Sequence, residues 1–373
     1  MYSRENGDGG QVSAYIRFFP VKPFTKMLQS VSKGFFMPNI REVAKAAGFS
    51  TATISRVINH PNSVSAETRE RIYEVMRELN YTPNTHARGL ALDKSNSIAL
   101  LLPDFLNQSY LKIAKGIEEI AHKRGYFVFL CNSENNLNKE SRYLDLLIKG
   151  RRVDGLILVN TILDDRQLRL LQKENIPLVI TGRRRAVSNI NSVCVDYVRG
   201  GYQAGKHLIS LGYRSFGFIS NRSVAAEDEK KFQGFKQALD ESGIKIDGNN
   251  VIDVPKTISG GTLAAQRFFE SENCPEAIFA TSDPAAIAAL KYFNDNNLKV
   301  PDDVAVIGFD DIEMTELASP RLTTVSVPSY KLGLLSARLL FDEIDDHGNE
   351  SQEIFLQTKL NIRESCGHGP TSY

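Results

Sequence analysis

The sequence predicts a small all-α domain of the helix-turn-helix type, followed by an α/β region with two doubly wound parallel-sheet subdomains. Residues 40–59 contain two short helical segments around Gly48, a pattern that places a helix in the major groove of DNA. From residue 98 onward, short apolar runs alternate with amphipathic helical segments, which is typical of parallel sheets covered on both faces. Because the predicted strands are too many for one sheet of five or six strands, we expect two α/β subdomains.

The first two helices are predicted from their apolar faces and from the residues between them. Gly48 stands where the turn needs an unhindered residue. Ser50 is a good N-cap for a second helix that runs from about Thr51 to Asn59. The residues that would face each other between the two helices are Val43, Ala44 and Ala47 in the first and Ile54, Val57 and Ile58 in the second.

The outward face of the second helix carries Thr51, Ala52, Ser55 and Arg56. An Arg side chain can bond two acceptors of a guanine at once, and small side chains let the backbone come close to base edges. This face therefore indicates a helix that reads DNA sequence. The segment alone leaves an ordinary helical hairpin at a surface as the alternative.

A third helix closes the predicted core of this domain. Ser65 can cap it, Glu67 lies favourably in its first turn, and Pro83 ends the helical region. Apolar residues recur along it at helical spacing, namely Ile72, Val75, Met76 and Leu79.

Residues 84–92 form a short segment that is too small to be a stable helix alone. It could fold when DNA and a partner subunit supply contacts, as disordered segments often do. Leu90 on such a segment could insert between base pairs in the minor groove. A plain linker is the alternative interpretation.

Bulk properties predict a globular, non-membrane chain of two or three domains. Of its 373 residues, 42% are hydrophobic and 24% charged, and no apolar run reaches the length of a membrane span. Residues 37–92 carry a net charge of +2 and residues 93–373 a net charge of −4, a weak sign of a DNA-binding head on an acidic body. The four cysteines have no C-x-x-C spacing, so we expect them to be reduced and expect no metal and no cofactor.

The first 36 residues differ from the rest, with several glycines and prolines and no clear period. They lack the pattern of a signal peptide, because Arg17 interrupts their only apolar stretch. Met37 stands directly before the first helix. We therefore expect residues 1–36 to be a disordered tail or a mis-annotated start.

The remaining elements are predicted from apolar runs and helical periodicity. Predicted strands are 98–102, 126–130, 155–159, 178–180, 193–195, 215–219, 277–280 and 304–308. Predicted helices are 111–124, 141–149, 200–211, 230–242, 261–271, 284–296 and 330–344. Ligands in such folds bind at the carboxyl ends of the strands.

Two other motifs point to enzymes and are weaker. Residues 200–206 have the G-x-x-x-x-G-K spacing of a phosphate-binding loop, but His207 follows instead of the Ser or Thr that would hold Mg²⁺. Asp310 and Asp311 could form a catalytic pair, but no nucleophile arrangement supports them. We therefore predict a protein that is not an enzyme and has no catalytic residues. A sugar-binding protein without gene control is a further alternative, disfavoured by the helix-turn-helix.

The chain resembles the lactose/galactose repressor family of bacterial transcription regulators over about residues 37–367. The motifs that carry the resemblance are residues 43–59, Leu79-Asn-Tyr-Thr-Pro-Asn84, Val304-Ala-Val-Ile-Gly-Phe-Asp-Asp311 and Leu322-Thr-Thr-Val325. The resemblance implies a DNA-binding head, a hinge helix, and an effector domain like periplasmic sugar-binding proteins, with three crossing strands near Val195, 322–325 and 355–357. The implied divisions are a helix-turn-helix domain at 37–83, a hinge and linker at 84–97, and an effector and dimerisation domain at 98–367, with subdomains 98–194 plus 326–356 and 195–325 plus 357–367.

By this resemblance, Thr51, Ala52 and Arg56 contact the base edges in the major groove. Asn39 and Asn59 lie near the phosphates, and Leu90 inserts into the minor groove. The DNA-binding residues so implied are Asn39, Ser50, Thr51, Ala52, Thr53, Ser55, Arg56, Asn59, His86, Ala87 and Leu90. The effector-binding residues so implied are Asp104, Asn107, Ser109, Tyr110, Arg183, Lys231, Lys256, Ser282 and Asp310.

Three departures from the family pattern concern the charge of the effector site. Lys231 stands where the family often has Arg, Lys256 where it often has an aromatic residue, and Gly182 where it often has Asp. These changes make the expected cleft more cationic, and Arg183 and its neighbours could add to this. We therefore expect the effector to be a sugar, and specifically an anionic one such as a sugar phosphate or a sugar acid. The alternative is that Lys256 and the arginines point into solvent.

The resulting expectation is a ligand-responsive, sequence-specific transcriptional regulator, most often a repressor, of carbohydrate uptake or catabolism genes. It would bind a near-palindromic operator in double-stranded DNA as a homodimer. It would act in the cytoplasm, associated with the nucleoid. Two closure states of the effector cleft would decide whether two hinge segments fold together on the operator.

Overall fold

The computed structural model describes residues 38–81, 94–182, 187–223, 225–345 and 350–367. The chain divides into two compact units at residues 92 and 93. The tail at 1–36, Met37, Leu90 with the rest of the hinge segment, and Arg183 lie outside the described residues. Each unit is described in turn.

The N-terminal unit is a three-helix domain with one apolar core. Its helices are α1 Ile40–Ala47, α2 Thr51–Asn59 and α3 Ala66–Glu78, with a 3₁₀ turn at Pro61–Ser63. The core consists of Val43, Ala44, Ala47, Ile54, Val57, Ile72 and Met76, with Ile58, Val75 and Leu79 partly buried against it. The predicted inward faces of all three helices are therefore confirmed.

Local hydrogen bonds define where these helices begin and turn. The Asn39 side chain accepts from the backbone of Glu42, whose own carboxylate accepts from Asn39 N, which closes a capping box at α1. Gly48 has a φ of 74°, the left-handed conformation that a glycine adopts without steric cost. Ser50 accepts from Thr53 N at 3.1 Å, so the predicted N-cap of α2 is confirmed.

The C-terminal unit contains two six-stranded sheets. The strands of the first sheet are β1 Ser97–Leu102, β2 Phe127–Asn132, β3 Gly155–Val159, β4 Leu178–Gly182, β5 Asn191–Val195 and β11 Glu353–Leu356. The strands of the second are β6 Phe216–Ser220, β7 Val251–Asp253, β8 Ala277–Ala280, β9 Ala305–Asp310, β10 Thr323–Ser326 and β12 Lys359–Asn361. The helices are α4 Gln108–Lys123, α5 Leu137–Lys149, α6 Asp165–Gln172, α7 Tyr197–Ser210, α8 Ala226–Asp240, α9 Ile258–Glu270, α10 Asp283–Asp295 and α11 Ser329–Asp345.

Both sheets are doubly wound. The first sheet has the order β11-β5-β4-β3-β1-β2 and is parallel throughout. The second has the order β12-β10-β9-β8-β6-β7, and β12 pairs antiparallel with β10 while the other pairs are parallel. Parallel strands need helical crossovers that cover both faces, which explains why the eight inner strands of the two sheets are largely buried, whereas the edge strands β2, β7, β11 and β12 are partly exposed.

The chain passes between the two sheets three times. It leaves the first sheet after Val195, returns to it after Ser326, and leaves it again after Leu356. The second crossing comes later than residues 322–325, because these residues lie at or within β10, which pairs with β9 in the second sheet. Each half of this unit is therefore built from separate stretches of the chain.

Five observed helices of this unit, α4, α5, α7, α8 and α9, begin three or four residues earlier than their apolar periodicity predicts, whereas α10 and α11 begin one residue earlier. α4, α5, α7 and α9 each begin directly after a polar N-cap, namely Asn107, Asn136, Asp196 and Thr257. Their first turns are held by these caps as much as by apolar burial, so an apolar pattern misses them. The helix α6 and the strand β7 were not predicted, because each is short and lies beside polar residues.

The glycine-rich segment 200–206 lies inside α7 and not in a loop. A Cβ on Gly201 would overlap the carbonyl oxygen of Lys231, and a Cβ on Gly234 in α8 would overlap that of Val198. These glycines therefore allow α7 and α8 to pack backbone to backbone. A phosphate-binding loop needs exposed backbone N–H groups, which a helix interior does not offer.

In the described part of the chain, no helix combines the length and the apolar character needed to cross a membrane. The four cysteines are free thiols, and Cys131, Cys194 and Cys366 are buried. Burial raises the pKa of the Cys131 thiol to about 11, so this thiol is protonated and unreactive at neutral pH.

Candidate functional site

The outward face of α2 presents small side chains and one guanidinium. Thr51, Ala52 and Arg56 are exposed, while Thr53 and Ser55 are half-buried at the edges of this face. Ile54 and Val57 on the opposite face are fully buried, so the helix cannot rotate without exposing its core. The fold thereby fixes which residues of α2 are available to a partner.

Several of the other predicted DNA-binding residues of this unit also form hydrogen bonds that stabilise the first turns of helices. Asn39 Oδ1 accepts from Arg41 N at 2.9 Å and caps α1, and the Ser50 and Thr53 hydroxyls lie 2.9 Å apart at the start of α2. These caps lie at helix N-termini, where a helix also favours phosphate. Asn59 is the last residue of α2, and His86 and Ala87 lie outside the described residues.

A second candidate site is a cavity inside the C-terminal unit, with about 350 Å³ of space that includes the solvent at its mouth. Residues from both sheets contribute to its wall, at strand carboxyl ends and in the first turns of helices, where ligands bind in this fold class. Its polar lining consists of Asn107, Ser109, Tyr110, Asn160, Tyr197, Glu227, Lys231, Lys256, Asp310 and Ser329, and its apolar lining of Ile113, Val327 and Leu332.

Four charged residues on one side of this cavity form what we call the ion cluster: Glu227, Asp228, Lys231 and Lys256. Lys256 Nζ lies 2.9 Å from Glu227 Oε1 and 3.4 Å from Asp228 Oδ1. Lys231 Nζ lies 3.3 Å from the same Asp228 oxygen and donates to the Thr281 carbonyl at 2.8 Å. Each ammonium of the cluster is therefore matched by a carboxylate.

The ionisation of this cluster reflects a balance between burial and pairing. Burial opposes the charge of Glu227 and Asp228, but the ammonium groups of Lys256 and Lys231 and the hydrogen bonds to these carboxylates together outweigh it, so the pKa of both carboxyls lies below its usual value. Burial would lower the pKa of Lys256, but Asp228 and Glu227 raise it well above its usual value. All three groups are charged at neutral pH.

Two acceptors on the cavity wall have no hydrogen-bond partner among the described residues. The carboxylate of Asp310 forms no hydrogen bond or ion pair with any of them; burial raises its pKa, and the ammonium groups of Lys231 and Lys256 act in the opposite direction. Asn160 Nδ2 donates to Tyr110 Oη at 3.3 Å, but its Oδ1 is buried without a hydrogen bond. Unpaired buried polar atoms are costly, so their position in a cavity indicates a place for a ligand.

Two tyrosines line the cavity beside these acceptors. Burial, followed by the nearby Glu227, raises the pKa of Tyr110 and of Tyr197, so both phenols keep their protons. Tyr110 Oη lies 3.5 Å from Glu227 Oε1 and so reaches across from the first-sheet half to the second-sheet half. Lys231 Nζ lies 4.0 Å from the ring centre of Phe309, which adds a cation–π contact behind the wall.

The backbone of Asp310 has a φ of 110°, a conformation that L-residues rarely adopt. The following residue is held firmly: the Asp311 carboxylate accepts from Asn361 Nδ2 at 2.7 Å and from Arg363 at 2.8 Å. Asp310 and Asp311 thus have different surroundings.

The structure brings six of the predicted effector residues to the cavity: Asn107, Ser109, Tyr110, Lys231, Lys256 and Asp310. It does not place two others in the wall. The Asp104 carboxylate accepts from Leu106 N at 2.8 Å in a turn, and Ser282 is buried with its Oγ unpaired. Arg183 lies outside the described residues.

The sequence reasoning missed Asn160, Tyr197, Glu227 and Ser329, which also line the cavity. Asn160 directly follows β3 and Tyr197 begins α7 directly after β5, so the strand-end rule applied to every strand would have found both. Glu227 lies in the first turn of α8, which began earlier than predicted. Ser329 carries no signal in the sequence, since it meets Ser109 only through the tertiary fold, at 3.0 Å.

The structure does not support Lys256 as a free cation of the cleft. Lys256 points neither into solvent nor freely into the cavity, because Glu227 and Asp228 bind it. The charge of the cleft expected from the sequence did not include these two carboxylates. From the sequence, Gly182 was expected only to remove a negative charge. In the structure, a Cβ at this position would overlap Asn160 Oδ1, so the glycine leaves space for the Asn160 amide.

A helix-turn-helix domain and a cavity-bearing α/β domain on one chain define a ligand-responsive, DNA-binding transcription regulator. Residues 39–84 match the family model of the bacterial regulatory proteins of the lacI family, and residues 206–366 match that of a periplasmic binding protein-like domain. The chain belongs to the lacI family.

Among the relatives, the HTH-type transcriptional regulator DegA of Bacillus subtilis is 36% identical over 87% of this chain and 97% of its own. The structure of the transcriptional regulator CelR in complex with cellobiose is similar with a TM-score of 0.67 and 30% identity, over 88% of this chain and 99% of that one. The lac repressor dimer bound to its operator has the same fold, with a TM-score of 0.78 and 24% identity over 88% of this chain and 99% of that one.

Proposed function

We propose that the protein represses genes of carbohydrate uptake or catabolism by binding a near-palindromic operator as a homodimer in the cytoplasm. The observation that carries this proposal is the exposed face of α2, with Arg56 beside Thr51 and Ala52, on a chain that also has an internal ligand cavity. Residues 37–83 would form the DNA-binding domain, 84–97 the hinge and 98–367 the effector and dimerisation domain.

We infer that the cavity binds its ligand and does not transform it. Its polar wall is held by hydrogen bonds and ion pairs within the protein, and the two tyrosines keep their protons. The CelR structure contains cellobiose, and a hydroxyl-rich molecule of this kind suits the amide and carboxylate groups here. A sugar phosphate or sugar acid is the alternative class.

The proposed switch is a population shift between closure states of the cavity. Contacts already cross it in this structure: Lys112 Nζ in α4 donates to the Asp311 carbonyl at 3.2 Å, beside the Tyr110–Glu227 contact. A ligand in the cavity would add contacts to both halves and favour closure. An inducer would then disfavour folding of the two hinge segments on the operator, and a corepressor would favour it.

The regulatory function is tested by selecting genomic DNA fragments with the full-length protein and measuring their affinity by fluorescence anisotropy. We expect a two-fold related sequence that binds at least roughly a thousandfold more tightly than random DNA. Equal affinity for selected and random fragments at physiological salt would refute sequence-specific control.

We expect Arg56→Ala to weaken operator binding by about 1–3 kcal/mol and to relax the preference at one base pair of each half-site. The reason is that a bidentate contact to one base would be lost. The control Arg71→Ala removes the same charge from α3 and should weaken binding to operator and random DNA alike. Titration of both variants with operators that carry single base changes measures the affinity and the base preference at each position. An unchanged base preference in Arg56→Ala would exclude the assigned role.

For the hinge we propose, from the sequence alone, that Leu90 inserts into the minor groove when two hinge segments meet on the operator. Leu90→Ala should then weaken operator binding while leaving binding to random DNA unchanged, since only the specific complex needs the insertion. Anisotropy titrations with both DNA types measure the two affinities. An equal loss on both would count against insertion.

We propose that β2 forms part of the homodimer interface. It is an edge strand of the first sheet and pairs only with β1 among the described strands. Phe127 is 76% exposed, and Phe129 and Leu130 are also exposed. An edge strand with large apolar side chains in water is an association site, and a second copy of the chain would cover it.

Phe127→Asp should therefore convert the dimer to a monomer at micromolar concentration, because a desolvated carboxylate would oppose the apolar contact. Light scattering coupled to size-exclusion chromatography measures the molar mass. The control Leu170→Asp places the same charge at an exposed leucine of α6 and should leave the mass unchanged. A dimeric Phe127→Asp variant would show that β2 lies outside the interface.

A further inference from the structure

The cavity wall has spare acceptors and no spare cation among the described residues. Lys231 and Lys256 are each matched within the ion cluster, as described above. A negatively charged ligand would have to compete with Glu227 and Asp228 for these ammonium groups. Breaking a buried pair costs several kcal/mol, because it leaves a charge uncompensated.

Several donors of the wall are in use. The hydroxyls of Ser109 and Ser329 bond each other, Asn160 Nδ2 donates to Tyr110, and the Tyr110 hydroxyl faces Glu227. Two acceptors of the wall, the Asp310 carboxylate and Asn160 Oδ1, form no hydrogen bond with a described residue. A ligand that satisfies these two acceptors must therefore bring donors.

The charge balance of the wall points in the same direction. Among the described residues of the ion cluster and the wall, Glu227, Asp228 and Asp310 supply three carboxylates against the ammonium groups of Lys231 and Lys256, which leaves one net negative charge. A charge-assisted hydrogen bond to a cationic donor is about twice as strong as a neutral one.

We propose that the effector is a small hydroxylated molecule that carries a protonated amine, with its amine bound by Asp310 and a neighbouring donor group bound by Asn160 Oδ1. This rests on the proposed function, because it takes the cavity to be the effector site. It also replaces the anionic class of effector with one of opposite charge.

The test uses the full-length protein and three matched sugar series. Glucose, galactose and mannose are each offered as the parent sugar, the 2-amino-2-deoxy sugar and the 6-phosphate, with affinity measured by calorimetry. We expect at least one amino sugar to bind roughly tenfold or more tightly than its parent and its phosphate. The proposal is overturned if a 6-phosphate binds best, if parent and amino sugars bind equally, or if no amino sugar binds.

Two variants assign the effect to Asp310. Asp310→Asn should remove the preference for the amine. Glu313→Gln removes one negative charge from the exposed segment just beyond, outside the cavity wall, and should preserve it. Retention of the amine preference in Asp310→Asn would refute the role of this carboxylate.

A measurement without ligand provides a second readout. Because the half-buried carboxylate of Asp310 has no hydrogen bond or ion pair with a described residue, Asp310→Asn should raise the Tm of the ligand-free protein at pH 7.5, whereas Glu313→Gln should not. A lower Tm in Asp310→Asn would mean that the protein itself supplies a partner, which would overturn the proposal. None of these readouts uses DNA, so a failure of operator binding and a failure of amine recognition are separate results.

Discussion

Asp228→Ala should lower the free energy of unfolding of the C-terminal unit by about 3–5 kcal/mol, because it leaves buried ammonium groups without their shared carboxylate. Asp228 is fully buried and lies within 3.4 Å of both Lys231 Nζ and Lys256 Nζ. It also accepts from Thr281 Oγ1 at 2.7 Å and from Asn221 N at 2.9 Å. Urea denaturation followed by circular dichroism measures the loss.

The matched control lies on the same helix. Asp240→Ala breaks the Lys236–Asp240 pair at the exposed end of α8 and should cost less than about 1 kcal/mol. Asp228→Asn keeps the shape and removes only the charge, so it should lose most of the same free energy. A stable Asp228→Asn protein would show that packing, and not charge, accounts for the effect.

The pH dependence of this loss has a definite sign. Since the pKa of Asp228 is lower in the folded protein than in the unfolded chain, its contribution is complete above the unfolded value of about 3.9 and is lost as the pH falls through the folded value. The stability difference between the wild type and Asp228→Ala should therefore be constant near neutral pH and shrink in acid.

Gly234→Ala is the second substitution with a large expected effect, a loss of about 3 kcal/mol in the free energy of unfolding. The added methyl group would overlap the carbonyl oxygen of Val198, which is backbone in the facing helix and cannot turn away. α7 and α8 would have to separate, and with them Tyr197 and Lys231 on the cavity wall. We therefore expect weaker effector binding as well.

Gly248→Ala serves as the control for the second substitution. A Cβ at Gly248 would meet no atom within 4 Å, and its backbone does not require glycine. Thermal denaturation should give a Tm equal to or slightly above that of the wild type, since alanine restricts the unfolded chain. A Gly234→Ala protein as stable as Gly248→Ala would show that the two helices tolerate a wider separation.

The helix-turn-helix could be predicted nearly to the residue because its signals are local. The inward positions of α2 recur at helical spacing, Gly48 supplies the turn, and Ser50 caps the helix through its immediate neighbour Thr53. Each of these interactions joins residues within a few positions of one another. The two-sheet α/β class could also be predicted, since buried parallel strands are continuous apolar runs.

The cavity could be predicted only in part. The family resemblance identified Lys231, Lys256 and Asp310, and all three line the cavity. The partners of these residues could not be predicted. Asp228 and Lys256 are 28 positions apart, and Asn160 meets Tyr110 across 50.

The sequence by itself determined the class of this protein: its DNA-reading helix, its two parallel sheets and the charged residues near the cavity. Only the tertiary structure decided the charge that a ligand meets. No partner of Lys256 could be read from the sequence, but in the fold Glu227 pairs with it, while Asp310 has no hydrogen bond or ion pair with a described residue. The reason is physical: electrostatic energy depends on distances between side chains, and those distances are set by packing between elements far apart in the chain.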